Sequence, residues 1–445
     1  MSVPLDLAEL DRTHVIHPFS TLSAVEAGEI PIFVEASGIH LTSHQGDVYL
    51  DAISGLYNVA VGYGRRELAQ AAATQMEKLA YASLFFELGN EPAARLAARL
   101  ATIAPDGMER FFFTLGGSDA VDTAVKLIRH RNSLLGRREK THIVARREGY
   151  HGMTFAAVSA TGGQAYRKEV GPLLPGFSHI AQATATDSDA AEELEEEILA
   201  RGPEAVAAFI AEPISLPGGA VIPHPDYWPR VREICTKYDV LLVADEVITG
   251  FGRTGAMFGL EHWDVAPDLM IMSKGITSGY APLGAVGVAD TFYRDLRDSE
   301  EPLLHGFTTS GHPVSCAVAL RNIDIIEEES LVEQSATTGA YMLRELEALA
   351  EHEPAIRGVR GLGLLVAFDL QTEDQGQQAT LGRGVAETLR NHHVLVRYYG
   401  ATIVLAPSLS IKREEVDELC ARIRSAVHAV ATRSTPVRAG SVARR

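Results

Sequence analysis

Lys274 follows a short apolar run, Leu269-Met270-Ile271-Met272, with Ser273 between them, and Asp245 closes another, Val240-Leu241-Leu242-Val243-Ala244. An ordinary lysine has a pKa near ~10.4 and is protonated, hence no nucleophile. Desolvation at a strand end, or a nearby cation, lowers that value and frees the amine for Schiff-base chemistry. The ordinary alternative is a surface lysine. Asp245 needs a reason to stand against an apolar strand. It could form a structural salt bridge, bind a metal, or keep a pyridine nitrogen protonated so that the ring becomes an electron sink. No second Asp or His at suitable spacing supports the metal reading.

Other apolar runs end in a similar inventory. Val206-Ala207-Ala208-Phe209-Ile210 leads to Glu212-Pro213, Phe111-Phe112-Phe113 to Gly116-Gly117-Ser118-Asp119, and Ile143-Val144-Ala145 to Tyr150-His151-Gly152. Each is innocent alone. In an open α/β sheet, however, ligands lie beyond the carboxyl ends of the strands, and all of these groups on one rim predict an active site. Gly116 to Asp119 enters an amphipathic segment, so close backbone approach and free first-turn amides favour an anion such as phosphate. Many helices begin this way merely for capping. Tyr150 offers a ring face for stacking, or is simply packed. Gly250-Phe251-Gly252-Arg253-Thr254-Gly255 satisfies GxGxxG, but no helix pattern follows it, so the context of a dinucleotide site fails.

These runs, with Ala285-Val286-Gly287-Val288, read as strands buried on both faces of a mostly parallel sheet. Between them lie helical patterns. Val121, Ala124, Val125 and Ile128 form one apolar stripe, and Leu194 and Ile198 form another beneath a glutamate-rich, solvated face. The alternation predicts an open α/β sheet covered on both sides. After Glu327-Glu328-Glu329 the pattern becomes helix, short strand and helix, ending on Val416, Leu419, Cys420, Ile423 and Val427. The expected division is an N-terminal segment 1–59 joining a small domain, a large domain 60–329, the C-terminal small domain 330–431, and a disordered tail 432–445.

The composition is that of a globular chain: 445 residues, 46% apolar and 22% charged. A net charge of −18 argues against nucleic acid or anionic membrane as partners. Cys235, Cys316 and Cys420 are few, distant and odd in number, which points to a reducing cytoplasm rather than disulfides or zinc. Neither a signal-peptide pattern nor an apolar run of ~20 residues is present, so a cytoplasmic protein is expected.

The stretch from Leu242 to Gly255, followed by Pro267-Asp268 and Ser273-Lys274-Gly275, closely resembles the signature of class III, omega-type, pyridoxal-phosphate-dependent aminotransferases. Further matches run from about Gly38 to Glu418, among them Gly55-Leu56-Tyr57, Tyr150-His151-Gly152, Glu212-Pro213, His305-Gly306-Phe307-Thr308 and Gly311-His312-Pro313. The resemblance implies an aspartate-aminotransferase-type fold, PLP fold type I: a large domain on a mostly parallel seven-stranded sheet and a smaller α+β domain built from both termini. It implies pyridoxal 5'-phosphate as cofactor, held by Lys274 as a Schiff base, with Lys274 also shuttling the proton at the substrate carbon. It further implies Asp245 on the pyridinium nitrogen, Tyr150 and Val247 on the two ring faces, Gly117 and Ser118 on the phosphate, and Glu212 beside the ring hydroxyl. Thr308 would complete the phosphate site from a neighbouring subunit, so a homodimer, with a tetramer also open, is implied.

Three positions depart from the family pattern and border the pocket: Asp119 for the usual glutamate, Thr309 for a common tyrosine, and Ile214-Ser215-Leu216-Pro217 for a glutamine-glycine pair. Within the family the pattern is amine:pyruvate-like. Leu395-Val396-Arg397-Tyr398-Tyr399-Gly400 resembles the segment with a mobile arginine that pairs a keto-acid carboxylate and swings away for amines; a solvent-facing Arg397 is the alternative. Tyr57 matches an aromatic wall; Phe85 and Phe86 are further candidates, with core packing the expected role of at least one. The expected function is amino transfer from an amine or omega-amino compound to a pyruvate-like keto acid. The rivals are an aminomutase or decarboxylating aminotransferase, transfer on a larger biosynthetic or peptide substrate, and a non-enzymatic protein on the same fold.

Overall fold

The structure, a computed structural model, describes residues 6–28, 30–371 and 375–433. The proposed tail lies, past Arg433, outside the described residues. The largest sheet has seven strands in the order Arg110–Thr114, Gly284–Val288, Leu269–Met272, Leu241–Asp245, Val206–Ala211, His142–Arg146 and Phe177–Ile180. Gly284–Val288 runs antiparallel to both neighbours and the other pairings are parallel. All the apolar runs named above become strands of this sheet. Phe177–Ile180 is the strand the pattern did not reveal. It lies at the edge with alternate residues buried, so Ser178 and His179 break the apolar run by which the central strands are recognised.

The central strands are buried on both faces because two helical layers cover them. Ala208 and Ile210 pack with Ala120, Val121, Ala124, Leu127 and Ile128 of the Gly117–Leu134 helix. Phe209 and Ala211, pointing the other way, pack with Leu194, Ile198, Trp228, Val231 and Ile234. The period-two alternation of strand side chains thus feeds two separate cores. Among the described residues no helix is long and apolar enough to cross a membrane.

Two smaller sheets complete the molecule. Phe33–Ser37, His40–Ser43 and Val48–Asp51 form an antiparallel meander that takes Val394–Leu395 as a parallel fourth strand, so residues near both ends share one sheet. Ile356–Leu362, Leu365–Leu370, Thr402–Leu405 and Arg397–Tyr399 form the other, all antiparallel.

The GxGxxG segment has a structural task. Arg253, only 2% exposed, donates from Nη1 to the carbonyls of Leu364 (3.0 Å) and Pro407, and from Nη2 to Ser54 Oγ at 3.1 Å. Its own carbonyl accepts from Ser335 Oγ at 3.0 Å. One guanidinium therefore ties the loop after Asp245 to the small sheets. Burial lowers its pKa to about 10, which still leaves it charged at neutral pH. Replacing Arg253 by Met leaves these acceptors unpaired, and we expect a loss of about 3 kcal/mol in stability. Denaturant unfolding of wild type and variant measures it; a difference below about 0.5 kcal/mol would contradict this role.

Candidate active site

The parallel arrangement brings the carboxyl ends of the strands to one rim, where a pocket opens. It is lined by Gly117, Ser118, Tyr150, His151, Gly152, Glu212, Asp245, Val247, Ser273 and Lys274, with Leu56, Ile214, Leu216 and Ile248 on its apolar side. Seven of the residues singled out from the sequence thus meet in one cavity.

Lys274 is set by its backbone. It has φ +46°, a left-handed conformation unusual for a residue with a Cβ, and begins a short 3-10 turn to Ile276. Asn322 locks that turn by donating to the carbonyls of Gly275 (2.8 Å) and Ile276 (3.1 Å), while Ser273 Oγ donates to Leu283 O at 3.0 Å. The lysine Nζ lies 5.5 Å from the centre of the Tyr57 ring. Burial lowers the Lys274 pKa to about 8, against the opposing pull of Asp245 and Glu212.

Asp245 is 4% exposed. Its Oδ2 lies 2.7 Å from His151 Nδ1, and its Oδ1 accepts from Val247 N at 3.2 Å. On the far side of His151, Nε2 lies 3.9 Å from Glu212 Oε2. Glu212 in turn accepts from Tyr150 N at 3.0 Å and faces Arg146 Nη2 at 3.5 Å. Arg146 also donates to the Glu212 carbonyl and stacks over Trp228. Burial alone would push His151 toward its neutral form; the carboxylates of Glu212 and Asp245 outweigh it and raise its pKa. The result is a buried row of alternating charge, Arg146, Glu212, His151 and Asp245. His151 and Arg146 were not assigned roles from the sequence. Their link to the site is a contact between distant strand ends, which no local pattern encodes.

Gly117 and Ser118 begin the Gly117–Leu134 helix, so first-turn amides face the pocket. A Cβ on Gly117 would come within 3.2 Å of Val247 Cγ1, which explains the absence of a side chain there. Gly152, at φ +120°, presses directly on Ser118, whose Oγ accepts from Met153 N at 3.1 Å. Asp119 turns its carboxylate to Leu115 N (2.6 Å), a contact that glutamate would make differently. Tyr150 is braced edge-on by Tyr166, with ring centres 5.1 Å apart, and burial pushes its pKa up to about 12.

Tyr57, whose ring lies beside the Lys274 amine, is nearly fully buried, with φ +63°. Asp51 shapes its turn by accepting from the amides of Ile53 (3.0 Å) and Gly55 (2.6 Å). Ile214 and Leu216 pack with Tyr57, Ile248 and Tyr399 in one apolar cluster. Arg397 is half-buried, its Cζ 5.6 Å from the Tyr399 ring centre. Thr308 does not line this pocket. It is exposed, and its carbonyl accepts from Tyr81 Oη at 2.6 Å. Phe85 and Phe86 lie outside the pocket as well; Phe86 is 90% exposed.

The lining suits a phosphorylated pyridine. It offers an amine of lowered pKa, a buried carboxylate that could face a ring nitrogen, a helix start and a hydroxyl that could take phosphate, and Tyr150 and Val247 among its lining. Comparison with known proteins agrees. Residues 22–427 match the family model Aminotransferase class-III. The chain is 41% identical over 426 residues to a putrescine–pyruvate aminotransferase of Pseudomonas aeruginosa, covering 92% of this chain and 93% of that protein. It is similar to the structure of an (S)-enantioselective omega-transaminase from Thermomicrobium roseum, with a TM-score of 0.92, 41% identity, and 95% and 98% of the two chains covered. An omega transaminase of Pseudomonas jessenii in complex with PMP gives a TM-score of 0.92 at 35% identity, covering 96% and 99%. The chain belongs to the class III aminotransferases. It is accordingly a pyridoxal-phosphate-dependent enzyme of fold type I, acting on an amino donor and a keto-acid acceptor.

In the cofactor-free protein Lys274 should lose its proton as the pH rises through about 8, below the ~10.4 of an ordinary lysine. Its acylation by an amine-reactive reagent, followed by peptide mass spectrometry, should be half-maximal near pH 8. A midpoint near pH 10 would rule out the burial effect.

Proposed function

We propose that the enzyme takes an amino group from a small amine or omega-amino compound and delivers it to a pyruvate-like keto acid, with Lys274 as the reacting amine. The observation that carries this reading is the placement of the Lys274 amine, lowered to about 8, between the Asp245 row and an apolar wall of Tyr57, Ile214, Leu216 and Leu56. Such a wall accepts an amine's carbon chain without demanding a carboxylate. The putrescine–pyruvate and taurine–pyruvate aminotransferases among the relatives support it.

Pyridoxal phosphate supplies the electron sink for the carbon that carries the transferred nitrogen. In our reading Lys274 attaches the cofactor and then takes and returns the proton at that carbon. Asp245, held by His151, keeps the proton on the pyridine nitrogen. Tyr150 and Val247 hold the ring faces, Gly117 and Ser118 bind the phosphate, and Glu212 lies beside the ring hydroxyl. Arg397 receives the keto-acid carboxylate and yields to plain amines.

A homodimer follows from the same reading, with Thr308 reaching the phosphate of a second copy's site. Around Thr308 the surface is unusually apolar for a monomer: Phe86 and Leu304 are each 90% exposed, and Leu88 and Tyr81 are exposed beside them in sequence. The division 1–59, 60–329 and 330–431, and a cytoplasmic location suited to free cysteines, belong to the proposal too.

Two measurements test it. A panel of amines and omega-amino acids with pyruvate or 2-oxoglutarate should yield alanine from pyruvate most rapidly with carboxylate-free or omega-amino donors. Lys274→Ala should lose turnover by at least about 10⁴-fold, together with the borohydride-trapped cofactor adduct. A variant that still forms the adduct excludes Lys274 as the reacting amine.

A further inference from the structure

Arg397 and Tyr399 are two residues apart on the Arg397–Tyr399 edge strand, paired to Val404 and Thr402, so both side chains project from one face of the sheet. The guanidinium carbon lies 5.6 Å from the Tyr399 ring centre. Tyr399 Oη lies 3.4 Å from Tyr57 Oη, and the Tyr57 ring centre is 5.5 Å from Lys274 Nζ. The contacts form a continuous row from the reacting amine to the guanidinium: Lys274, Tyr57, Tyr399, Arg397. Arg397 has no ion pair among the described residues, and its buried Nε has no hydrogen-bond partner there. Two other half-buried arginines are tied to carboxylates, Arg360 to Asp369 and Arg131 to Asp295. What holds the Arg397 guanidinium is therefore Tyr399.

We propose that Tyr399 is a positioning residue for Arg397, its ring holding the guanidinium and its hydroxyl fixed on Tyr57, and that it sets the preference for keto acids over amines lacking a carboxylate. The inference rests on the carboxylate-binding role of Arg397. A cation on a ring face is held without being neutralised, so it stays available to a substrate anion. An acid at position 399 would occupy it.

The test uses the holoenzyme with pyruvate as acceptor and 1-phenylethylamine as a carboxylate-free donor. Tyr399→Leu should raise the pyruvate KM by about tenfold and the amine KM by less than about threefold. Tyr399→Phe, which keeps the ring, should recover most of the pyruvate KM. In the Arg397→Ala background Tyr399→Leu should add little, because both changes remove one interaction. If Arg397→Ala impairs pyruvate selectively and Tyr399→Leu does not, the inference fails while the role of Arg397 stands. An unaltered pyruvate KM in Arg397→Ala overturns both. Equal losses for pyruvate and amine in Tyr399→Leu, or a full further loss in the Arg397→Ala background, reduce Tyr399 to general packing.

Discussion

A lysine amine must release its proton more readily than an ordinary lysine while two carboxylates, Asp245 and Glu212, draw a proton onto it. This opposition is the constraint around which the site is built. Burial lowers the Lys274 pKa and the carboxylates raise it, with burial prevailing. The carboxylates are not free to act in full, because each has its own cation: His151 for Asp245 and Arg146 for Glu212. Alternating charges along a buried row satisfy one another and reduce the net field at the lysine.

The row explains features of the fold that otherwise look unrelated. Arg146, Glu212 and Asp245 stand at or just past the ends of three adjacent parallel strands, which brings their side chains into one line. His151 reaches them from the loop after the first of these. The fourth strand end delivers Lys274 through a left-handed turn that Asn322 clamps from the Pro313–Glu328 helix. A parallel sheet is thus the means of converging groups far apart in the chain, and Arg253 secures the loop behind them.

Much of this was legible in the sequence because it is written locally. A short apolar run ending in a polar residue identifies a buried strand and its functional end without knowledge of neighbours, and that rule located Lys274, Asp245, Glu212 and Gly117. The helix stripe at Val121, Ala124, Val125 and Ile128 was legible for the same reason and is buried throughout. What was not legible depends on pairing across the fold. His151 meets Asp245 over 94 positions, and Arg146 meets Glu212 over 66. Phe177–Ile180 escaped notice because an edge strand carries half the apolar signal of a central one. The left-handed turn at Tyr57, shaped by Asp51, has no pattern to announce it.

The substrate side obeys a different logic from the cofactor side. Asp245 and Glu212 each face a cationic partner, His151 and Arg146, whereas Arg397 lies against the Tyr399 ring with no acid partner among the described residues. An enzyme that binds a keto acid in one half of its cycle and an amine in the other needs a cation that can be engaged and released. An acid partner would have to be displaced by every incoming carboxylate, with the cost of stripping a partly buried pair. An aromatic partner contributes only about 0.5–2 kcal/mol, less than a bidentate carboxylate offers. Under the proposed role of Arg397 the exchange toward substrate would be favourable, and the ring would take the guanidinium back when the anion leaves. Ile214 and Leu216 give the pocket an apolar side, on which the carbon chain of a donor without a carboxylate can rest.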